Sequence, residues 1–397
     1  MIRRATVLCL GLSQLACWGI SYYLIGAFGG LIAADLGWSQ PLVHGGFSLA
    51  LLVMGLASPL AGRLIDRHGG RPVMAAGSGL IFLGCVGLSV AHHVLAYYAA
   101  WFCLGVAMRF TLYDAAFATL ARIGGQSARR PMAQITLLGG LASTTFWPIG
   151  NAVAERFGWR GAVLAYAGVA LLTIPLHLAL PRGRGGSGRG ADDARPVAGR
   201  RGLSLAGGLY ALIATLAAFL NAGMSAHMIG IMSGLGVALS AAAWIAALRG
   251  IGQSAARLCE VLFGTRVHPL DLNLAAAAVL PLGFAAGLLS GELAAAAIAF
   301  ALLYGVGNGL LTITRGTLPL VLFDHRVYGA LVGRLLVPSF LLSAAAPLAY
   351  AVVIERFGDA AALHLSVAVA VVTLGAAIML KVRFGSAIGH RRSTREE

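Results

Sequence analysis

Long apolar stretches, separated by short polar segments, follow one another along almost the whole chain. Twelve of them are long enough to cross about 30 Å of hydrocarbon as a helix. Their approximate limits are 6–32, 40–62, 72–91, 95–121, 131–153, 159–181, 204–232, 237–262, 272–291, 293–323, 330–354 and 359–382. A bilayer offers no partner for exposed backbone N–H and C=O groups, and these stretches lack the alternation of barrel strands, so the pattern predicts an all-α membrane protein. The first stretch is longer than the apolar core of a cleavable leader and is interpreted as a retained span.

Composition and charge agree with this interpretation. Of the 397 residues, 59% are apolar and only 11% are charged. Most Lys and Arg residues fall in loops on the side of the termini, whereas the opposite loops carry only Arg156, Arg160 and Arg356. The positive-inside rule then predicts cytoplasmic termini in a multi-pass protein of the inner membrane. Because topology and attraction to anionic lipid account for the net charge of +15, we expect no nucleic-acid partner.

A polar segment rich in Gly and Arg divides the spans into six and six. We predict an N-terminal six-helix bundle at 1–181, a flexible basic linker at 182–203, a second bundle at 204–382 and a cytoplasmic tail at 383–397. The linker contains a formal G-x-G-x-x-G pattern at Gly183, Gly185 and Gly188. No strand precedes this pattern, so a linker is favoured over a nucleotide site.

The two halves share a short repeat. Glu155-Arg156-Phe157-Gly158 recurs 200 residues later as Glu355-Arg356-Phe357-Gly358, once between spans 5 and 6 and once between spans 11 and 12. A weaker correspondence joins Arg63–Asp66 to Arg257–Glu260 at the ends of spans 2 and 8. Duplication of this kind is typical of transporters built from two similar bundles.

The charged loop after span 2 carries the most specific motif of the chain. Five residues fit the pattern G-x-x-x-D-R-x-G-x-R: Gly62, Asp66, Arg67, Gly69 and Arg71. With twelve spans, a central linker and internal duplication, this loop resembles the signature loop of the major facilitator superfamily. The resemblance implies two pseudo-symmetric six-helix bundles that transport a solute by alternating access, with Asp66 latching the bundles by bonding to a helix end and to neighbouring Arg groups. Positive-inside charge alone would explain the Arg residues but not Asp66 or the glycine spacing.

Signals for a particular branch of that superfamily are weaker. The segment Asp35–Gln40 is similar to bacterial members of the monocarboxylate and oxalate/formate branch. Spans 4 and 5 depart from the motifs of drug/proton antiporters at Trp101 and at Trp147–Asn151.

Ionisable groups inside the spans are the candidates for solute binding. An arginine at the centre of a lone span costs from about 2.5 to more than ~10 kcal/mol, so it should face a wet cavity or a partner. The resemblance makes spans 1, 4, 7 and 10 the cavity liners. Arg109 and Tyr113 share a face of span 4 and suit a carboxylate. Arg249 ranks second, because span 8 lines the cavity only in part. The alternative for each arginine is a structural bond to carbonyls or to a carboxylate between helices.

A second hypothesis concerns gating. Asp114 follows Arg109 by five residues, about 140° round a continuous helix, so the two should not pair. The 200-residue offset instead places Arg315 at the depth of Asp114 on the equivalent helix of the other half. We therefore predict that Asp114 and Arg315 form a gate pair.

Further candidates for the cavity are aromatic or polar, and packing is the competing interpretation for each. They are Trp18, Tyr22, Trp147, Asn221, Ser225, His227 and Asn308. Histidine is the residue type most often used to carry a proton, so His227 is a candidate carrier of a coupling proton.

No other chemistry is indicated. The five cysteines show no metal spacing and are interpreted as packing residues, with a soft-metal site as the alternative. Motifs of hydrolases, metalloproteases and P-loop proteins are absent from the sequence, so we expect neither an enzyme nor a cofactor. The sequence thus predicts a monomeric secondary transporter of a small organic anion coupled to H+. Efflux of hydrophobic compounds and uptake of a larger ring compound such as a vitamin are the alternatives.

Overall fold

A computed structural model describes residues 2–181, 200–264, 267–324 and 327–396, and the regular structure of these ranges is entirely helical. Most of the predicted linker, with Gly183, Gly185 and Gly188, lies outside the described residues. The α-helices are α1 Arg4–Cys17, α2 Leu24–Leu36, α3 Gln40–His68, α4 Gly70–Ser89, α5 Val94–Thr111, α6 Tyr113–Gly124, α7 Arg129–Gly139, α8 Ala142–Leu178, α9 Arg200–Gly234, α10 Leu239–Phe263, α11 Pro269–Leu288, α12 Ala294–Leu322, α13 Tyr328–Leu335, α14 Val337–Phe357 and α15 Asp359–Glu396.

The helices account for the twelve predicted spans. Nine segments of the described chain have the length and apolar composition of membrane spans. One of them, Val94–Leu178, has 85 residues and holds three crossings, separated by a 3-10 turn at Gly125–Ala128 and by a break at Gly158. The helix α10 has the length of a crossing but carries Arg249, Arg257 and Glu260, and it completes the twelve.

The chain divides into two compact units. The first comprises Met1–Ala191 and His325–Val337, so the short helix α13 belongs to it although α13 comes late in the sequence. Here α4 packs between α5 and α8, α3 packs on α5 and α13, and α1 packs on α7 and α8. Large aromatic side chains, among them Tyr97, Trp101 and Tyr166, fill the core of this unit.

The second unit comprises Asp192–Asp324 and Pro338–Glu397. In it α12 packs on α10 and α11, and α15 packs on α9 and α11. Its core contains the buried rings of Phe284, Phe300 and Tyr304.

The repeated motif has the same local structure at both of its positions. Gly158 and Gly358 each interrupt the helical path with a positive φ, 69° and 83° respectively. The preceding aromatic residues, Phe157 and Phe357, are 71% and 73% exposed. A left-handed residue is favourable only for glycine, which explains why the repeat keeps this residue.

Candidate functional site

Span 4 is broken, and the break brings two charged residues together. Leu112 has an extended conformation (φ −76°, ψ −173°) and separates α5 from α6. Across it, Arg109 Nη1 and Asp114 Oδ2 lie 2.6 Å apart. The prediction that these residues cannot pair is wrong, because it assumed a continuous helix.

The surroundings of the break stabilise it. Gln14 Nε2 in α1 donates a hydrogen bond of 2.7 Å to the carbonyl oxygen of Thr111, one of the groups that a helix end leaves without an intrahelical donor. Arg109 lies in the last turn of α5 and Asp114 in the first turn of α6, the ends at which helix dipoles favour these charges. The side chains are only 4% and 12% exposed, so Arg109 is a buried, neutralised cation.

Arg315 belongs to the second unit. There its guanidinium lies 5.4 Å from the centre of the Phe340 ring, and its carbonyl oxygen accepts a hydrogen bond of 2.7 Å from the Tyr210 hydroxyl. The pairing of Arg315 with Asp114 stays a prediction.

The aromatic candidates of the first unit lie together. Trp18 contacts Tyr22 and Tyr113 with ring centroids 4.8 Å apart in both cases. Phe47, Tyr23, Phe117 and Trp147 extend the contacts through neighbouring rings. We call this set the aromatic cluster, and its members are Trp18, Tyr22, Tyr23, Phe47, Tyr113, Phe117 and Trp147.

An irregular turn in span 1 explains how so many rings meet. Residues Trp18–Tyr22 form a π-helical turn, in which Tyr23 N donates to Trp18 O over 3.0 Å. In a regular α-helix Tyr23 would lie about 140° round the axis from Trp18. The wider turn brings Tyr23 beneath Trp18, with ring centroids 6.0 Å apart. The Tyr23 carbonyl also accepts a hydrogen bond of 3.0 Å from Trp147 Nε1.

The polar candidates of the second unit also lie together. Arg249 Nη2 on α10 donates to Asn221 Oδ1 at 3.1 Å and to Ser225 Oγ at 3.0 Å, both on α9. Asn308 Nδ2 on α12 donates to the same Asn221 oxygen at 2.9 Å. The Arg249 guanidinium carbon also lies 5.3 Å from the centre of the Tyr304 ring. We call these residues the guanidinium cluster: Asn221, Ser225, Arg249, Tyr304 and Asn308.

The guanidinium cluster differs from the Arg109 pair in its charge. Within the described residues the guanidinium of Arg249 contacts neutral groups: an amide oxygen, a hydroxyl and an aromatic ring. Its side chain is partly exposed, unlike that of Arg109. Arg249 therefore keeps an uncompensated positive charge inside a spanning helix, which is the arrangement that attracts an anion.

His227, the candidate proton carrier, lies on α9 and makes its hydrogen bond to α14, not to the guanidinium cluster. Its Nε2 is 2.8 Å from the carbonyl oxygen of Pro347, and its ring stacks on Tyr350 at 6.3 Å. A carbonyl accepts but does not donate, so Nε2 carries the proton in this arrangement.

Asp66 lies in the last turn of α3 and caps α13, a helix that comes much later in the chain. Its two carboxylate oxygens accept hydrogen bonds from Gly329 N at 3.0 Å and from Ala330 N at 2.6 Å. Both amides belong to the first turn of α13, where N–H groups have no intrahelical partner and the helix dipole favours an anion. The carboxylate of Asp66 is therefore satisfied by the end of α13.

Small residues allow α3 and α13 to approach closely. A Cβ atom on Gly62 would overlap the Gly329 carbonyl, and one on Gly333 would lie 2.5 Å from Ser58 O. Ser58 Oγ also donates a hydrogen bond of 2.6 Å to Gly333 O. The glycine spacing in both helices thus permits backbone contact, as in close helix pairs of membranes.

The remaining motif residues lie at the turn between α3 and α4. Gly69 has a φ of 84° there, a conformation that L side chains rarely adopt. Arg67 is exposed and Arg71 is partly exposed. Arg122 in α6, a residue that the motif does not contain, also attracts the Asp66 carboxylate electrostatically.

All five cysteines are free, and Cys17 and Cys85 are buried. No group of His, Cys, Asp and Glu suited to a metal ion occurs among the described residues.

Solved structures with the same fold are membrane transporters. The proton:xylose symporter XylE aligns with a TM-score of 0.75 over 96% of this chain and 95% of its own, at 12% identity. The human organic anion transporter MFSD10 aligns with a TM-score of 0.69 over 94% and 99%, at 18% identity. Identities this low show the fold alone.

Curated relatives match a shorter part of the chain. Multidrug resistance protein MdtL of Shigella flexneri is 32% identical over 167 residues, which is 40% of this chain and 41% of the relative. MdtL of Escherichia coli K12 matches over the same length with the same identity. The chain thus covers about two fifths of the curated relatives that it matches.

The described residues contain helices with the length and apolar composition of membrane spans, which define a multi-pass membrane protein. The model of the Major Facilitator Superfamily matches residues 10–347. The chain belongs to this superfamily. The predicted family and fold class are thereby confirmed.

Proposed function

We propose that this transporter carries small organic anions and that Arg249 supplies the positive charge that recognises them. The observation that carries the proposal is the neutral surroundings of Arg249 in the guanidinium cluster. Asn221 and Ser225 hold one nitrogen of the guanidinium, which leaves further N–H donors of the fork for a carboxylate.

Arg109 contributes to the same function in a different way. Because Asp114 already neutralises it and the pair is buried, Arg109 is proposed to hold the broken span in shape beside the aromatic cluster. This assignment reverses the order in which the sequence analysis ranked the two arginines.

Coupling to H+ forms the second part of the proposal. His227 lies two residues after Ser225 on α9, and its hydrogen bond to Pro347 O would persist in the protonated form because both ring nitrogens then donate. We also propose cytoplasmic termini, from the arginine asymmetry of the loops, and a monomer.

Uptake by proteoliposomes tests the proposal. A panel of labelled carboxylates is offered with and without an inward proton gradient to the full-length protein, Arg249→Ala, Arg249→Lys and Arg356→Ala. Arg249→Ala loses the charge-assisted pair between the guanidinium and the carboxylate of the solute. Its anion uptake should therefore be about ten-fold slower or more. Arg249→Lys should be intermediate, because lysine keeps the charge but loses the planar fork.

The control removes a guanidinium that is exposed at the end of α14. Arg356→Ala should transport at the unchanged rate. If Arg249→Ala carries every acid as fast as the control does, the anion site is not at Arg249. If the proton gradient changes no rate, coupling to H+ is excluded.

Export of hydrophobic compounds is the second candidate, because the curated relatives are named as multidrug resistance proteins. A cationic dye does not need a guanidinium for recognition. Efflux of such a dye at equal rates by the unsubstituted protein and Arg249→Ala, together with no uptake of acids, would favour this candidate.

A further inference from the structure

The aromatic cluster of the first unit contains an unused hydrogen-bond donor. Trp18 Nε1 is buried and has no acceptor among the described residues. A buried polar group without a partner is costly, so each such group calls for an explanation. The Trp18 side chain is nevertheless partly exposed, in contrast to Trp101, whose ring is sealed in the core.

The rings around this donor form a continuous surface. Trp18, Tyr22, Tyr23 and Phe47 are all partly exposed, and Trp147 is 42% exposed. Behind them, Tyr113 and Phe117 stack with an interplanar angle of 7° and are almost fully buried. The cluster therefore combines a buried inner layer with a partly exposed outer layer.

Local irregularities build this surface. The π-helical turn brings Tyr23 onto the side of Trp18. The break at Leu112, held by Arg109 and Asp114, sets the start of α6 and thus the position of Tyr113 beside Trp18. Single π-helical turns inside α-helices occur frequently at functional sites.

We propose that the aromatic cluster binds the ring of an aromatic organic anion, with Trp18 Nε1 donating a hydrogen bond to an acceptor on that solute. The inference rests on the proposed function and narrows its substrate class. A planar ring gains from offset or edge contacts with Trp18, Tyr22 and Tyr23, which an aliphatic ring of equal size does not make. An acceptor on the solute satisfies the indole N–H.

Binding of labelled nicotinate to the full-length protein in detergent tests the inference. Nicotinate has the shape of benzoate and adds a ring nitrogen as acceptor, and the other two pyridine carboxylates place that nitrogen elsewhere. Benzoate should compete about three- to ten-fold better than cyclohexanecarboxylate. At least one pyridine carboxylate should bind better than benzoate.

Two tryptophan substitutions locate the site. Trp18→Phe keeps a ring but removes the N–H, so it should abolish the preference for a pyridine carboxylate over benzoate and keep the preference for benzoate over cyclohexanecarboxylate. Tyr22→Leu should weaken the preference for benzoate over cyclohexanecarboxylate. Trp244→Phe is the matched control, because Trp244 is 79% exposed on α10, outside the aromatic cluster.

The outcomes separate this inference from the proposed function. If benzoate and cyclohexanecarboxylate compete equally while Arg249→Ala loses all acids, the aromatic site is wrong and the anion site stands. If the ring preference is present but Arg249→Ala binds acids normally, the anion site is wrong. An unchanged pattern in Trp18→Phe overturns the role of the indole, and no binding of any aromatic acid overturns the inference as a whole.

Discussion

Arg109 and Asp114 form a buried ion pair across the break in span 4, with 2.6 Å between Nη1 and Oδ2. Five residues separate them, yet the extended conformation of Leu112 turns the second half of the span so that the side chains meet. Each charge lies at the helix end that favours it, and each neutralises the other.

The first prediction concerns the stability of this pair. Arg109→Met or Asp114→Leu alone leaves a buried charge without its partner and should lower the free energy of unfolding by about 3–5 kcal/mol. The double variant removes both charges and should lose less than either single variant. Denaturant unfolding in detergent, followed by circular dichroism, measures the three changes.

The control cycle uses Lys381 and Asp271, whose side chains are 44% and 47% exposed and whose charged atoms are 3.0 Å apart. Lys381→Gln and Asp271→Asn should each change stability by about 1 kcal/mol or less. A double variant of Arg109 and Asp114 that loses the sum of its single variants would contradict the pairing.

The spans were predictable from sequence because length and apolar composition fix them, whereas the breaks were not. No Pro or Gly lies between Arg109 and Asp114 to signal an interruption. The break depends on packing, including a hydrogen bond from Gln14, a residue 97 positions away. The angular argument against the pair was correct for a regular helix and failed because the helix is not regular.

The candidate sites also contain one part that the sequence predicts and another that it does not. Helical spacing places Asn221 and Ser225 on one face of α9, so their proximity was predictable. Their shared contact with Arg249 depends on the register between α9 and α10, which a single sequence does not reveal. For the same reason the motif predicted an acceptor for helix-end amides at Asp66 but did not identify Gly329, Ala330 or Arg122.

The second prediction concerns the close approach of α3 and α13. Gly62→Ala places a methyl group against the Gly329 carbonyl, and because this obstacle is backbone, the helices must separate. Overpacking of this kind should cost about 1–3 kcal/mol of stability and reduce transport.

Gly79 offers a matched control on α4, because a Cβ atom there meets nothing within 4 Å. Gly79→Ala should keep or slightly raise the unfolding temperature in detergent, since alanine is the better helix former. Equal effects of the two substitutions on unfolding and uptake would refute the contact between α3 and α13.

The third prediction concerns the helix cap at Asp66. Asp66→Asn removes the charge and one of the two acceptor oxygens that hold Gly329 N and Ala330 N. A hydrogen bond to a charged group contributes about 1.5–3 kcal/mol. Amide hydrogen exchange at 329–330, followed by mass spectrometry of the full-length protein, should therefore accelerate about ten-fold or more, while Asp271→Asn should leave it unchanged. Unaltered exchange in Asp66→Asn would show that the cap does not stabilise α13.

The fourth prediction tests the internal repeat. At Gly158 and at Gly358 a Cβ atom meets nothing within 4 Å, so any penalty of alanine comes from the positive φ alone. Gly158→Ala and Gly358→Ala should each lose about 1–2 kcal/mol, and by similar amounts, because the backbone conformations are alike. Gly168→Ala, at a helical position of α8 that is equally open, should instead gain up to about 1 kcal/mol. Denaturant unfolding of the three variants in detergent gives these differences directly. If only one of the two repeat glycines tolerates alanine, the equivalence of the two motifs does not extend to their energetics.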